Sequence, residues 1–375
     1  MSSSPNPNHE SFRYFLALAL APKVGPSIFK AIVAYAGSAE GFFQITKGKA
    51  SKIPRIGSRL LEIRNSEETL LRKADELIQS AEKKQFRILT LFDPNFPQRL
   101  KAQEDGPVLL FVKGNADFNP EKTIGVVGTR SATTYGKAAT KKLITDSSIY
   151  KPTIVSGLAY GIDIEAHRES LTANLPTIGV LGSPIDQIYP ATHRKTAEQM
   201  MENGAIISEY APGSRMVPGN FPARNRIIAG FSDALVVVEA AAKGGALITA
   251  EIAYSYDKEV FAVPGNLQSQ YSEGCNHLIR KMKANIYTGP EDIAEALFWS
   301  KEGEKTIPKP KLDIYQRDEE EKAILNLLLE KKEMEIDQIS YQTEIPLGVL
   351  SSKLLAMEFE GIIKSLPGKK YRLLV

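Results

Sequence analysis

The rhythm of residues 121–299 narrows the fold more than any other feature of the chain. Short apolar runs rich in β-branched residues recur at Thr123–Val127, Thr153–Val155, Thr177–Leu181, Ala205–Ser208, Ala234–Val238, Glu259–Val263 and Asn285–Tyr287. Stretches of helical length and amphipathic pattern separate most of them. Runs that stay apolar throughout, instead of alternating, read as strands covered on both faces. Strands that alternate with helices predict the α/β class: a Rossmann-like, doubly wound, mostly parallel sheet with right-handed crossovers.

The flanks follow other patterns. Residues 10–80 read as short helices. Within them, Leu20-Ala21-Pro22-Lys23-Val24-Gly25-Pro26 and Ile53-Pro54-Arg55-Ile56-Gly57-Ser58 each form a Pro-x-hydrophobic-Gly turn leading into a further helical stretch. This is the helix-hairpin-helix pattern, whose turn amides can hold a DNA phosphate at a helix start. Pro26 has no N–H, so the first turn lacks one donor. Lys52, Arg55 and Arg59 flank the second. The segment reads either as a DNA-touching element or as a helical packing module. Phe86–Leu91 and Val108–Val112 read as two further strands. Residues 301–317 form a polar, proline-containing linker. Three helical stretches and a hairpin around Pro367-Gly368 then follow the winged-helix plan. Its recognition helix, near Leu347–Phe359, offers Ser351, Ser352 and Lys353 but also Glu358 and Glu360. That is too acidic for a duplex reader and favours a protein contact. The expected domains are 1–80 (helical, helix-hairpin-helix or SAM-like), 81–300 (extended Rossmann-like), 301–317 (linker) and 318–375 (winged helix).

Composition excludes several classes. With 43% hydrophobic and 24% charged residues, the chain is ordinary for a globular protein. No apolar run is long enough to span a bilayer, and MSSSPNPNHE lacks the basic and apolar parts of a signal peptide. No membrane partner is expected, and the cytoplasm is the expected compartment. One cysteine, Cys275, rules out an internal disulfide framework, and with four histidines it leaves little for a structural zinc site. The net charge is +3. Residues 1–120 carry 17 Lys+Arg against 12 Asp+Glu, residues 121–300 carry 17 against 18, and residues 318–375 carry 8 against 11. Nucleic acid bound to the middle segment must therefore use a local site.

In a doubly wound sheet, ligands collect beyond the carboxyl ends of the strands. The first strand ends in Gly125-Val126-Val127-Gly128-Thr129-Arg130-Ser131, which is not the dinucleotide fingerprint, so no cofactor is expected. Its turn can still aim amides and the Thr129 hydroxyl at an anion, and Arg130 can fork onto a phosphate. The second strand ends in Val155-Ser156-Gly157-Leu158-Ala159-Tyr160-Gly161-Ile162-Asp163, followed by Ala166-His167. Asp163 and His167 read as a helix cap and a core residue. Gly219-Asn220-Phe221-Pro222-Ala223-Arg224-Asn225-Arg226 puts an aromatic face, two cations and an amide side by side, a set suited to stacking a base and holding phosphates. Gly244-Gly245-Ala246-Leu247-Ile248-Thr249-Ala250-Glu251 supplies another glycine-lined helix start. Glu239 and Glu251 read as a cap or ion-pair members, since no nucleophile or metal set accompanies them. Cys275 reads as packing. These loops make a phosphate-receptive crevice that suits a nucleotide or a strand about equally.

The ordered set Gly128-Thr129-Arg130, Ser156-Gly157-Leu158-Ala159-x-Gly161-Ile162-Asp163, Phe221-Pro222-Ala223-Arg224-Asn225-Arg226, Leu247-Ile248-Thr249-Ala250, Val263-Pro264-Gly265 and Gly274-Cys275-Asn276 resembles the DNA-processing protein A family, also called DprA or Smf, over nearly the whole chain. The resemblance implies a non-enzymatic protein. Its members bind and shield incoming single-stranded DNA in natural transformation, load the RecA recombinase onto it, and act as homodimers through the Rossmann domain. The resemblance implies that Arg130 binds phosphate beside Gly128 and Thr129, and that Phe221, Arg224, Asn225 and Arg226 line the DNA groove or hold its shape. Ser156, Gly157 and Gly245 complete the expected DNA-binding set. Two positions depart from the family pattern. Pro218 stands where many members have a DNA-contacting lysine, leaving Arg215 as the nearest substitute. Gly244-Gly245-Ala246 replaces Ser-Gly-Ser/Thr, which removes two hydroxyls.

Two rival readings are weaker. Residues 244–251 distantly resemble the Gly-Gly-x-Gly-Thr-x-x-Glu loop of nucleotide phosphoribohydrolases, but Leu247-Ile248 stands where those enzymes need a second Gly-Thr pair. A winged-helix transcription regulator is disfavoured by the acidic C-terminal segment.

Overall fold

The computed structural model describes residues 9–54, 57, 61–300, 317–331, 333–366 and 370–373. The chain divides into two compact units between Trp299 and Ser300.

The first unit is built on a nine-stranded sheet. Its strands are β1 (Arg87–Thr90), β2 (Leu109–Gly114), β3 (Thr123–Val127), β4 (Thr153–Ser156), β5 (Thr177–Val180), β6 (Ala205–Ser208), β7 (Ala234–Val237), β8 (Glu259–Ala262) and β9 (Asn285–Ile286), in the spatial order β1-β2-β6-β5-β4-β3-β7-β8-β9. From β6 to β9 all neighbours are parallel, whereas β2 runs antiparallel to both β1 and β6. The parallel strands β3 to β8 end within one residue of their expected positions.

Alternate residues of the central strands feed two cores, as the pleat requires. Ile124, Val126, Ala234 and Val236 face one side, with Leu143, Ile144 and Ile293 from its covering helices. Val127, Leu235 and Val237 face the other. Each valine, leucine or isoleucine among them stabilises the fold by about 1.5–3 kcal/mol when fully buried. This two-sided burial is the reason the strand sequences are apolar throughout.

The helices His9–Ala19, Pro26–Ala36, Ala39–Gln44 and Glu67–Lys84 belong to the second of those cores through Leu16, Phe29, Ile32, Phe42 and Leu70. The expected boundary near residue 80 therefore runs through continuous packing. Pro26 occupies the first turn of its helix, where its missing N–H is not needed, and Gly25 precedes it in extended conformation. Of the second predicted hairpin turn, Arg55, Ile56 and Ser58 lie outside the described residues, as does Arg59 beside it.

The second unit has the helices Glu319–Lys331, Ile336–Thr343 and Leu347–Phe359, and a small sheet of β10 (Glu333–Glu335), β11 (Ile363–Leu366) and β12 (Lys370–Leu373). β12 pairs antiparallel with both others. Its own core contains Ile324, Leu328, Ile339, Leu350, Leu354 and Met357. The hairpin strands are those expected, while the turn 367–369 lies outside the described residues, as does the linker 301–317 apart from Arg317. β10 is an addition: at three residues it was too short to read in the sequence. Lys353, the cation expected on the recognition helix, is tied to Asp318 and Glu320.

Candidate nucleic-acid interface

Strand order reverses between β3 and β7, so the loops that follow them diverge and leave a crevice. A cavity of about 280 Å³ fills it, lined among others by Gly128, Thr129, Arg130, Phe221, Arg224, Asn225, Lys243 and Gly245. Of the remaining expected site residues, Ser156, Gly157, Arg215 and Arg226 do not line it.

The β3 loop is fixed from both sides. The Thr129 N–H donates to the Glu239 carbonyl at 2.7 Å, and the Thr129 carbonyl accepts from the Ile162 N–H at 3.2 Å. A Cβ at Gly128 would meet the Ile162 side chain at 2.4 Å. The loop is thus held against the helix Ile162–Thr172, and Arg130 emerges exposed, with no ion pair to any described residue. Glu239, almost fully buried, latches the next helix: its carboxylate accepts from the Thr133 amide at 2.9 Å and hydroxyl at 2.5 Å, and Thr133 caps Thr134–Ser147. Glu251 pairs with Lys283 at 2.6 Å. Glu239 thus holds a helix start and Glu251 belongs to an ion pair, the engagements expected of them.

The helix Gly245–Ser255 starts in the cavity, with Gly244 as N-cap and no side chain capping it. The Leu247 amide bonds to the Gly244 carbonyl. The Gly245 and Ala246 amides have no acceptor among the described residues, and the helix dipole adds partial positive charge there. Lys243, exposed beside this start, was missed in the sequence. Its position one residue before a glycine-lined helix start was the available signal.

The helix Asn220–Phe231 forms the opposite wall and uses its residues in three ways. Phe221 lies over Gly182, where a Cβ would meet its ring at 2.6 Å, and its ring centroid is 5.4 Å from that of Tyr189. Asn225 donates to the Gly245 carbonyl at 3.3 Å, joining the two helices that bound the cavity. Arg224 is buried, and its Nη1 donates to the Gly157 carbonyl at 2.6 Å and to the Val180 carbonyl. It clamps the ends of β4 and β5 together. Burial lowers its pKa and raises that of Asp163, while their opposite charges counter both shifts. Asp163 accepts from the Gly157 amide at 3.2 Å.

The other expected residues have occupied side chains or stand apart. The Ser156 hydroxyl donates to the Val126 carbonyl at 2.6 Å and is fully buried. Arg226 pairs with Glu209, both its contacts at 2.6 Å, on the far side of the helix from the cavity lining. Arg215 is exposed in the loop between β6 and the helix Asn220–Phe231. Burial pushes the Cys275 thiol up to about 12, which leaves it protonated and packed against β7. Among the described residues no group of three or more acidic, histidine or cysteine side chains is placed to hold a metal ion, and no helix is long and apolar enough to cross a membrane.

An open, doubly wound α/β unit with an anion-receptive, aromatic-rimmed crevice at its switch point defines a ligand-binding class shared by many folds. Comparison with known proteins narrows it. The family model of DNA recombination-mediator protein A matches residues 87–298, and that of the DprA winged helix domain matches residues 308–369. Protein Smf of Synechocystis is 31% identical, with 96% of this chain and 98% of that protein covered. The crystal structure of DNA processing protein A from Streptococcus pneumoniae superposes with a TM-score of 0.64 at 29% identity, covering 78% of this chain and 98% of that one. DNA processing protein A from Helicobacter pylori, whose structure was described for its single-stranded DNA binding mode, gives 0.52 at 30% identity and covers 57% of this chain and 96% of that one. The chain belongs to the DprA/Smf family, and its second unit is that family's winged helix.

Proposed function

We propose that this chain binds single-stranded DNA in the β3–β7 crevice without turning it over. In this reading it works in the cytoplasm as a homodimer through the Rossmann domain, shields incoming DNA in natural transformation and hands it to the RecA recombinase. The observation that carries the DNA reading is the convergence of an Arg130 with no ion pair among the described residues, an exposed Lys243 and the open helix start at Gly245–Ala246 on one cavity with Phe221 at its rim. Amides and cations take phosphates, and an aromatic face takes a base of any identity. Absence of turnover is supported by the structural use of Glu239 and Glu251, the two acids nearest a phosphoribohydrolase-like loop.

Fluorescence anisotropy with labelled oligothymidylate tests the reading. Wild-type binding weakens with salt, with a log–log slope of about −0.7 per phosphate neutralised. Arg130→Glu abolishes binding while circular dichroism and melting stay unchanged, because the exposed side chain makes no hydrogen bond or ion pair with a described residue. Unaltered affinity in that variant, or release of free base from nucleoside monophosphates by the wild type, contradicts the proposal.

A further inference from the structure

Two exposed tyrosines stand beside the crevice without lining it. Tyr160 follows Ala159 in the β4 loop and Tyr189 lies in the β5 loop; they are 47% and 49% exposed. Tyr189 is held against Phe221, with ring centroids 5.4 Å apart and planes 55° apart. Tyr160 stands edge-on to His193 at 4.9 Å, and the His193 ring is fixed by a 2.9 Å bond between its Nδ1 and the Leu158 carbonyl. Gly161 packs against the Thr129 and Arg130 carbonyls, which puts Tyr160 next to the Gly128–Arg130 turn. Each tyrosine is thus steadied by a neighbouring ring while much of it remains in solvent.

The surroundings differ on the two sides of the crevice. Directly after His193, the ring against Tyr160, Arg194 and Lys195 open the helix Arg194–Asn203, exposed and without an ion pair to any described residue. On the other side, the β8 loop exposes Asn266, Leu267, Gln268 and, further on, Glu273, with no cation among them.

We propose that Tyr160 and Tyr189 form a second base-stacking subsite, so that an unpaired strand leaves the crevice toward β5, with Arg194 and Lys195 receiving its phosphates. This rests on the single-strand reading above and adds a direction to it. Stacking on tyrosine uses the face that every base has, so the subsite extends the footprint without adding sequence preference.

The test uses the full chain and two strands of equal length, an oligothymidylate that reaches past Phe221 and the same strand made abasic outside the crevice. Replacing both tyrosines by alanine lowers affinity for oligothymidylate at least about fivefold and for the abasic strand less than about twofold, since stacking contributes and phosphate contacts remain. Replacing both by phenylalanine keeps wild-type affinity for oligothymidylate. Equal losses on the two strands, or no loss on oligothymidylate, overturn the subsite even where Arg130→Glu abolishes binding. A wild type that binds neither strand overturns the single-strand reading itself.

Discussion

A methyl group at Gly157 would lie 2.1 Å from Nη1 of Arg224. The sequence placed this glycine in the expected DNA-binding set, and the structure packs a buried guanidinium against it. The two residues are 67 positions apart, so no local pattern connects them. Gly157→Ala must push the arginine off its carbonyls, and should cost about 3 kcal/mol through overpacking and a lost charged hydrogen bond. Urea unfolding measures this; a loss under about 0.5 kcal/mol would mean Arg224 repacks freely. His167 gives a second prediction at this scale. Burial, aided by the positive charge of Arg224, lowers its pKa to about 3. From pH ~6.5 downward the unfolded chain takes up a proton that the folded chain refuses. Its contribution to stability is therefore complete above that pH and is lost toward pH 3, at up to about 1.4 kcal/mol per pH unit. Denaturation at pH 7 and pH 5 should show this slope in the wild type and a shallower one in His167→Asn. Arg130 needed no such distant partner, because a cation after a strand-end glycine turn is a local signal.

At the scale of elements, the helix Gly245–Ser255 opens its start into the cavity while Asn220–Phe231 does three jobs around its circumference. The first was expected from its glycine-lined start, whereas Phe221–Arg226 was read among the loops and proves to lie on a helix. The division of labour within Phe221–Arg226 was not legible, because which face of a helix meets solvent depends on what packs against it. Arg224 and Arg226 therefore looked alike in sequence, yet one clamps strand ends and the other neutralises Glu209. The open helix start makes a separable prediction. Gly245→Asp puts a carboxylate where the dipole favours it, so the melting temperature should hold or rise. The same carboxylate should repel phosphate and reduce affinity for oligothymidylate at least about tenfold. Unchanged affinity would remove this helix start from the site.

For the whole molecule, apolar strands in a βα rhythm announced the parallel sheet, and the winged helix followed from three helices and a hairpin. What the sequence did not disclose was how the first helices join the sheet. Packing of Leu16, Phe29 and Leu70 into the core it shares with Val127 and Val237 is a long-range contact with no local periodicity to betray it. The second unit has its own core. A chain ending at Trp299 should therefore fold cooperatively and keep its single-strand affinity within about threefold, since no residue of the crevice lies beyond that point. Loss of folding or of binding in that truncation would tie the winged helix to the site.

A crystal structure with a short oligothymidylate bound tests the central claim most directly. The account predicts phosphate oxygens within hydrogen-bond distance of the Arg130 guanidinium and of the Gly245 and Ala246 amides, with a base against Phe221. A strand lodged elsewhere on the sheet, or one held only by the winged helix, would contradict it.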